Sequence, residues 1–363
     1  MMGNFWRQIR EVFSSAASRS EPSGPEWVNG AAGLLGDLAE GGRVPGLAMR
    51  IQHRGQWVHE AAFGYADLEG GVPATPQTLF RIASVSKPIT ATALARMAGE
   101  GLLRLDDPLA RYVPEYPDHG ILLHQLAAHT AGLRGYRGKE YALNRPYSIE
   151  ASLEVFRDDP LEFAPGTGFL YNSFDFVLLS LAMERAAGMP FDALVRELVL
   201  QPLGMEHTQA EQPEQLPDGL AKPYTRRAGG FRRAVPVDNR YKLAGGGYLS
   251  TVGDVCRLGQ AYLDGSAVNP DLAAEFLTSR ETPQGPTWYG LGWQVGRDAS
   301  GRRYYGHVGN AVGGYSKFFV YPDAEVVLAV LMNCTDPGVQ PVLDTAIDAA
   351  LSGLESAGRD KGG

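Results

Sequence analysis

The 363-residue sequence predicts an α+β fold: an antiparallel sheet assembled from both ends of the chain and flanked by helices, with a mainly helical lobe inserted over about residues 85–265. Alternating apolar and polar residues mark strand-like segments near both ends, whereas the stretch between them repeats its apolar residues at helical spacing. The 45 glycines and 24 prolines add a third indication, because they call for many turns and long loops rather than a helical bundle.

The elements follow in order. From Pro25 to Glu40, Trp27, Val28, Ala31, Leu34, Leu35 and Leu38 share a helical face, and Gly41-Gly42 ends it. "GLAMRIQHRG" and "QWVHEAAFGYAD" alternate around Arg54-Gly55, a hairpin signature. A helix opens near Ser84, since Pro88 fits only a first turn; Ile89, Ala93, Leu94 and Met97 form its apolar face, and Gly99 and Gly101 stop it. Another apolar helix is expected from about Phe174 to Ala187. The stretch from about Glu211 to Asn239, rich in Pro, Gly and charge, predicts a long surface loop. "WYGLGWQVG", "RYYGHVG", "YSKFFVYP" and "EVVLAVLMN" read as returning strands, followed by a helix over about Val339 to Leu351. The expected organisation is a flexible leader (1–24), one folded domain (25–355) and a disordered tail (356–363).

A composition of 44% hydrophobic and 20% charged residues is that of a globular protein. The net charge of -8, with no Lys/Arg cluster, argues against nucleic acid and for a small-molecule or peptide substrate. Cys256 and Cys334 are too few for a disulfide framework and read as buried small hydrophobes. The first 25 residues lack the unbroken apolar stretch of a signal peptide, and no segment approaches the roughly 18 apolar residues of a membrane span. A cytoplasmic protein is expected.

Within "SVSK", Ser84 and Lys87 lie three residues apart at a helix start, so the amine can reach the hydroxyl and the helix dipole favours an alkoxide there. An ordinary lysine is neutral in only about one molecule in 2,500 at pH 7, so this amine acts as a base only if burial depresses its pKa. On spacing alone, an N-capping serine beside a solvated lysine is the preferred explanation, because S-x-x-K is a two-residue pattern. No G-x-S-x-G, H-E-x-x-H, Walker or G-x-G-x-x-G motif occurs, and the seven histidines show no zinc spacing, so neither metal nor cofactor is expected.

"FRIASVSKPITATALARMAGEGLLRLDDPLARYVPEY" resembles the Ser-x-x-Lys block of the class C β-lactamase-like serine hydrolases, which include penicillin-binding proteins, D-aminopeptidases and family VIII esterases. The similarity continues in order through "LAAHTAGL", "PGTGFLYNSFDFVLLSLAMERAAG", "LVLQPLGMEHT", "AGGGYLSTVGDV", "YGLGW" and "GHVGNAVGGYSKFFVYPD", covering nearly everything after about residue 25. "FRIAS" and "YVPEYP" lean toward the mitochondrial serine β-lactamase-like branch. The resemblance implies a β-lactamase/transpeptidase-like fold in which Ser84 is the nucleophile, Lys87 its activating partner and Tyr171 the second-motif tyrosine. His307, a further catalytic candidate, stands with Val308 and Gly309 at the third motif, where the glycine lets substrate approach the strand edge; the backbone N–H groups of Ser84 and Asn310 would form the oxyanion hole. A tyrosine beside a lysine ammonium is expected to have its pKa lowered and to shuttle protons.

Two departures bear on substrate. Tyr171-Asn172-Ser173 replaces the usual Tyr-x-Asn, leaving Asn172 and Ser173 as candidate substrate contacts. Val308 replaces a hydroxyl that helps penicillin-recognising relatives bind a carboxylate. Both shift the expectation from β-lactams toward ester, amide or peptide hydrolysis through an acyl-enzyme. The alternatives are acyl transfer from the same intermediate, weak β-lactamase activity, or a silent binding protein of the same fold. His129 and Thr130 read as loop-fixing residues, Asn239 and Tyr241 as possible cleft residues, and Trp293 as packing.

Overall fold

The computed structural model describes residues 25–359, so the expected leader lies outside the described residues. Its centre is a seven-stranded sheet made from β1 (Gly46–His53), β2 (Gln56–Asp67), β3 (Val72–Pro73), β4 (Gln294–Arg297), β5 (Arg303–Ala311), β6 (Gly314–Tyr321) and β7 (Val326–Met332). The order β4-β5-β6-β7-β1-β2-β3 is antiparallel throughout and joins the two ends of the chain through β7 and β1, with Met49 opposite Val330. Arg54 and Gly55, both at positive φ (52° and 73°), turn β1 into β2 at the expected place.

Every residue of β7, "VVLAVLM", is buried, because helices cover both faces of the sheet. On one face lie α1 (Asn29–Glu40) and the final helix, α5 (Gln340–Arg359); Leu35 and Leu38 share a core with Leu343, Ile347 and Val330. On the other lies the helical lobe, with α2 (Ser86–Gly99), α3 (Phe174–Ala187) and α4 (Val252–Leu263). The Ala-rich α2 is buried on nearly all sides, as befits a helix at the centre of a lobe. Truncating Leu94 or Met97, both fully enclosed, to alanine costs about 2–5 kcal/mol each. Both cysteines are free and buried. Among the described residues no helix is long and apolar enough to cross a membrane.

Three local expectations need correction. α5 continues to Arg359 where a tail was expected, with Leu354 packed against the terminal-helix core. The loop between Glu211 and Asn239 contains a hairpin, Tyr224–Arg227 with Gly230–Arg233, whose first strand also pairs in parallel with Cys334–Thr335. The segment Trp288–Gly292 is not a strand: Leu291 N–H donates to Phe276 O (2.9 Å) and Gly292 N–H to Ala127 O (2.8 Å), which carries it onto α2. A Cβ at Gly292 would lie 2.6 Å from that of Ala91, so only glycine permits the approach.

The same constraint positions the segment bearing Ser84. This serine occupies a 3-10 turn (Ala83–Val85) immediately before α2, with Ala83 held at φ 49°. Strand β5 presses on that turn: a Cβ on Gly309 would lie 2.2 Å from Ser316 Oγ and 2.6 Å from Ile82 O, while Ser316 Oγ donates to the Ile82 carbonyl at 2.7 Å. Replacing Gly309 by alanine is therefore expected to destabilise the fold by about 1–3 kcal/mol, read as a lowered Tm by circular dichroism. An unchanged Tm would show that the strand and turn separate freely, against this packing.

Candidate active site

Four segments converge on Ser84. The turn into α2 carries Ser84 and Lys87, the loop before α3 carries Tyr171, the short helix Leu243–Gly246 brings the Gly245 carbonyl, and β5 supplies Asn310. Lys87 is fully buried; its Nζ lies 3.1 Å from Ser84 Oγ and donates to Gly245 O at 2.9 Å. The rings of Tyr171 and Phe176 face the amine at 4.7 and 5.2 Å. Burial depresses the Lys87 pKa from 10.5 to about 7, partly opposed by the nearby Asp175 carboxyl, so much of the amine is neutral near neutral pH. The capping alternative for Ser84 and the solvated alternative for Lys87 do not describe this geometry.

The Tyr171 hydroxyl donates to Ser84 Oγ at 2.7 Å. The side chain borders the cleft and is 39% exposed there, yet the protein packed around the phenol drives its pKa well above the ordinary 10, with Ser84 only partly countering. This reverses the expected lowering: burial outweighs the hydrogen bond to Ser84, and Tyr171 is a protonated phenol at neutral pH. His129 supports it from behind, at 4.5 Å between ring centroids. His129 is itself buried, with Nδ1 2.8 Å from Asp175 Oδ2 and its backbone carbonyl accepting from Leu170 N–H, so the loop-fixing reading describes its contacts.

The remaining sequence candidates divide. Ser173 lines the cavity with Ser84, Tyr171 and Asn310. Asn172 also borders it, but its side chain holds the loop: Nδ2 donates to the carbonyls of Leu133 and Leu170 and to Asp175 Oδ2, and Oδ1 accepts from Asp175 N–H. Its N–H groups are thereby committed within the loop and are not free to donate to substrate.

His307 is fully buried and points into protein. Its Nδ1 lies 2.6 Å from Val308 O, a pure acceptor, so Nδ1 carries the proton and Nε2 accepts from the Tyr289 hydroxyl at 2.9 Å. Burial first, then the proximity of Lys87, lowers its pKa to about 3, so it is neutral. It is not hydrogen-bonded to Ser84, and its ring centroid lies 5.8 Å from that of Tyr171. The Val308 side chain packs toward Tyr304, Phe319 and Ile347 on the terminal-helix face, so the missing hydroxyl would not face Ser84.

The edge of β5 completes the site. β4 pairs only as far as Gly306, and beyond it Val308 N–H, pointing away from β6, donates to Gln294 Oε1 at 3.0 Å. Amides two residues apart in a strand point the same way, which aims Asn310 N–H off the sheet edge at the cavity wall. Sequence reasoning missed Lys242, which lines the cavity, whereas Asn239 and Tyr241 are buried beside it. The signal was a lysine directly before the small-residue run "LAGGG". Trp293 is packing, edge-on to Tyr262 at 4.6 Å. Among the described residues no group of three or more His, Cys, Asp or Glu is placed to hold a metal ion.

The arrangement can activate a serine, donate a proton from a phenol and offer backbone amides to an oxyanion, the parts of acyl-transfer chemistry. Comparison with known proteins agrees. The Beta-lactamase family profile matches residues 31–352. Human serine beta-lactamase-like protein LACTB, mitochondrial, is 28% identical over 379 residues, covering 77% of this chain and 69% of that protein. Esterase EstB of Burkholderia gladioli is 30% identical over 294 residues, covering 70% and 74%. The crystal structure of D-amino acid amidase from Ochrobactrum anthropi SV3 complexed with L-phenylalanine superposes with a TM-score of 0.80 at 22% identity over 88% of this chain and 98% of that one, a likeness of fold. On this evidence the chain belongs to the Beta-lactamase family of serine hydrolases.

Proposed function

We propose that the protein hydrolyses small esters or amides through an acyl-enzyme on Ser84. The observation that carries this reading is the convergence of two groups of opposite character on one hydroxyl: a lysine amine poised to be neutral at 3.1 Å and a protonated phenol at 2.7 Å from Ser84 Oγ. Neutral Lys87 accepts the Ser84 proton as Oγ attacks the substrate carbonyl, while its own N–H remains on Gly245 O. The N–H groups of Ser84 and Asn310 hold the oxyanion. Tyr171, protonated at the start, gives its proton to the leaving group and is replenished by the Lys87 ammonium, whose Nζ lies 4.7 Å from the Tyr171 ring centroid. Water then takes the leaving group's place, and the transfers run in reverse to release the acid. This assigns the base role to Lys87 and the proton-relay role to Tyr171. The activities named for EstB and for D-amino acid amidase support ester or amide bonds as the target.

His307 is a positioning residue in this scheme. Neutral and bonded to Tyr289, it places no second positive charge beside Lys87, whose amine must lose its own proton. This replaces the catalytic role expected for it.

Two outcomes test the reading. In 4-nitrophenyl butyrate hydrolysis, Ser84→Ala and Lys87→Met should each lower kcat/KM by about 10³-fold or more, and Tyr171→Phe by about 10²- to 10⁴-fold. A Ser84→Ala enzyme as active as the native one would end the proposal. In histidine-selective ¹⁵N NMR, His307 should stay neutral, in the Nδ1–H tautomer, from pH 5 to pH 9, whereas a titration near 6.5 would contradict its enclosure.

A further inference from the structure

The cavity that exposes Ser84 has a volume of about 480 Å³, and one of its walls contains a cation that the acyl-transfer scheme does not use. Lys242 closes the 3-10 turn Arg240–Lys242, directly before the helical turn whose Gly245 carbonyl holds Lys87. Only 9% of it is exposed, and it lines the same cavity as Ser84, Tyr171, Ser173 and Asn310. Its Nζ donates to the Tyr141 carbonyl at 2.7 Å and faces the rings of Tyr241 and Tyr136 at 5.6 and 5.8 Å.

Two nearby carboxylates could neutralise it, but each is taken. Glu211 is bound by the Arg81 guanidinium at 2.6 Å and by Asn239 Nδ2 at 2.6 Å. Asp238 is held by Arg240. Among the described residues, no carboxylate lies within ion-pair distance of Lys242. Burial, then Arg81, lowers its pKa from 10.5 to about 8, with Glu211 and Asp238 raising it, so at neutral pH it is mostly a cation. A buried ammonium with one backbone acceptor and two spare N–H groups is under-satisfied, and an anion in the cavity would complete it.

We infer that Lys242 is the anion-binding residue of the substrate cleft, and that the favoured substrates are esters or amides with a carboxylate on one side of the scissile carbonyl. The inference rests on the acyl-enzyme reading of Ser84 and adds to it a substrate class. It also puts the recognising charge on the Arg240–Lys242 turn rather than on β5, since His307 is neutral and enclosed and Val308 faces away.

The test compares charged and neutral substrates of matched size within one enzyme preparation, so that any misfolded fraction cancels. For a carboxylate on the acyl side the pair is mono-4-nitrophenyl adipate and 4-nitrophenyl hexanoate; for the leaving-group side it is the acetyl esters of 4-hydroxybenzoate and 4-hydroxybenzamide. The native enzyme should favour the anionic member of at least one pair by tenfold or more in kcat/KM. That ratio should fall to near one in Lys242→Met, persist in Lys242→Arg and drop below one in Lys242→Glu. No charge preference in the native enzyme, or a preference that survives Lys242→Met, would overturn the inference. Absence of turnover on all four esters together with no labelling of Ser84 by a fluorophosphonate would instead defeat the acyl-enzyme reading on which it rests.

Discussion

The structure turns on the amine of Lys87, withdrawn from water and held between Ser84 Oγ and the Gly245 carbonyl. Lowering its pKa from 10.5 to about 7 corresponds to about 5 kcal/mol of differential solvation. The sign follows from proton binding: between the two values the unfolded chain holds a proton that the folded one does not, so stability rises with pH through that window. The penalty is complete below about pH 7 and gone above 10.5. Two hydrogen-bond partners, the aromatic faces of Tyr171 and Phe176, and a surrounding core hold the group there. Stability is thus given up at the point where a neutral amine is needed.

Much of the architecture serves that enclosure. α2 is buried on nearly every side, so a lysine in its first turn is enclosed by protein. The Leu243–Gly246 turn supplies a carbonyl instead of a carboxylate, which satisfies the amine without restoring its basicity. Gly309 lets β5 approach the Ser84 turn closely enough to carry Asn310 to the cavity, and Gly292 lets the loop before β4 close over α2. Asn172, Asp175 and His129 bind one another behind Tyr171 and fix the phenol that faces Ser84.

The sequence disclosed the parts whose signal is local. The alternation around Arg54-Gly55, the helix Phe174–Ala187 and the pairing of Ser84 with Lys87 all follow from period, turn chemistry or spacing. What remained hidden depends on contacts remote in sequence. Nothing local to Trp288–Gly292 indicates that Phe276 and Ala127 take its amides, and nothing in "GHVG" tells that His307 meets Tyr289 while Val308 faces the terminal helices. The direction of the Tyr171 shift depended on burial, a quantity no motif contains. Lys242 was missed because its importance lies in lacking a carboxylate partner, and that shows only once Glu211 and Asp238 are seen to be held by arginines.

The most direct test of this account is the titration of Lys87 itself, followed by ¹³C NMR of protein labelled at lysine Cε and assigned by the resonance missing from Lys87→Met. The account predicts a midpoint near 7, more than three pH units below that of an ordinary lysine. A Lys87 resonance that titrates near 10.5 would show an amine charged throughout the neutral range, and the base at the centre of this mechanism would have to be found elsewhere.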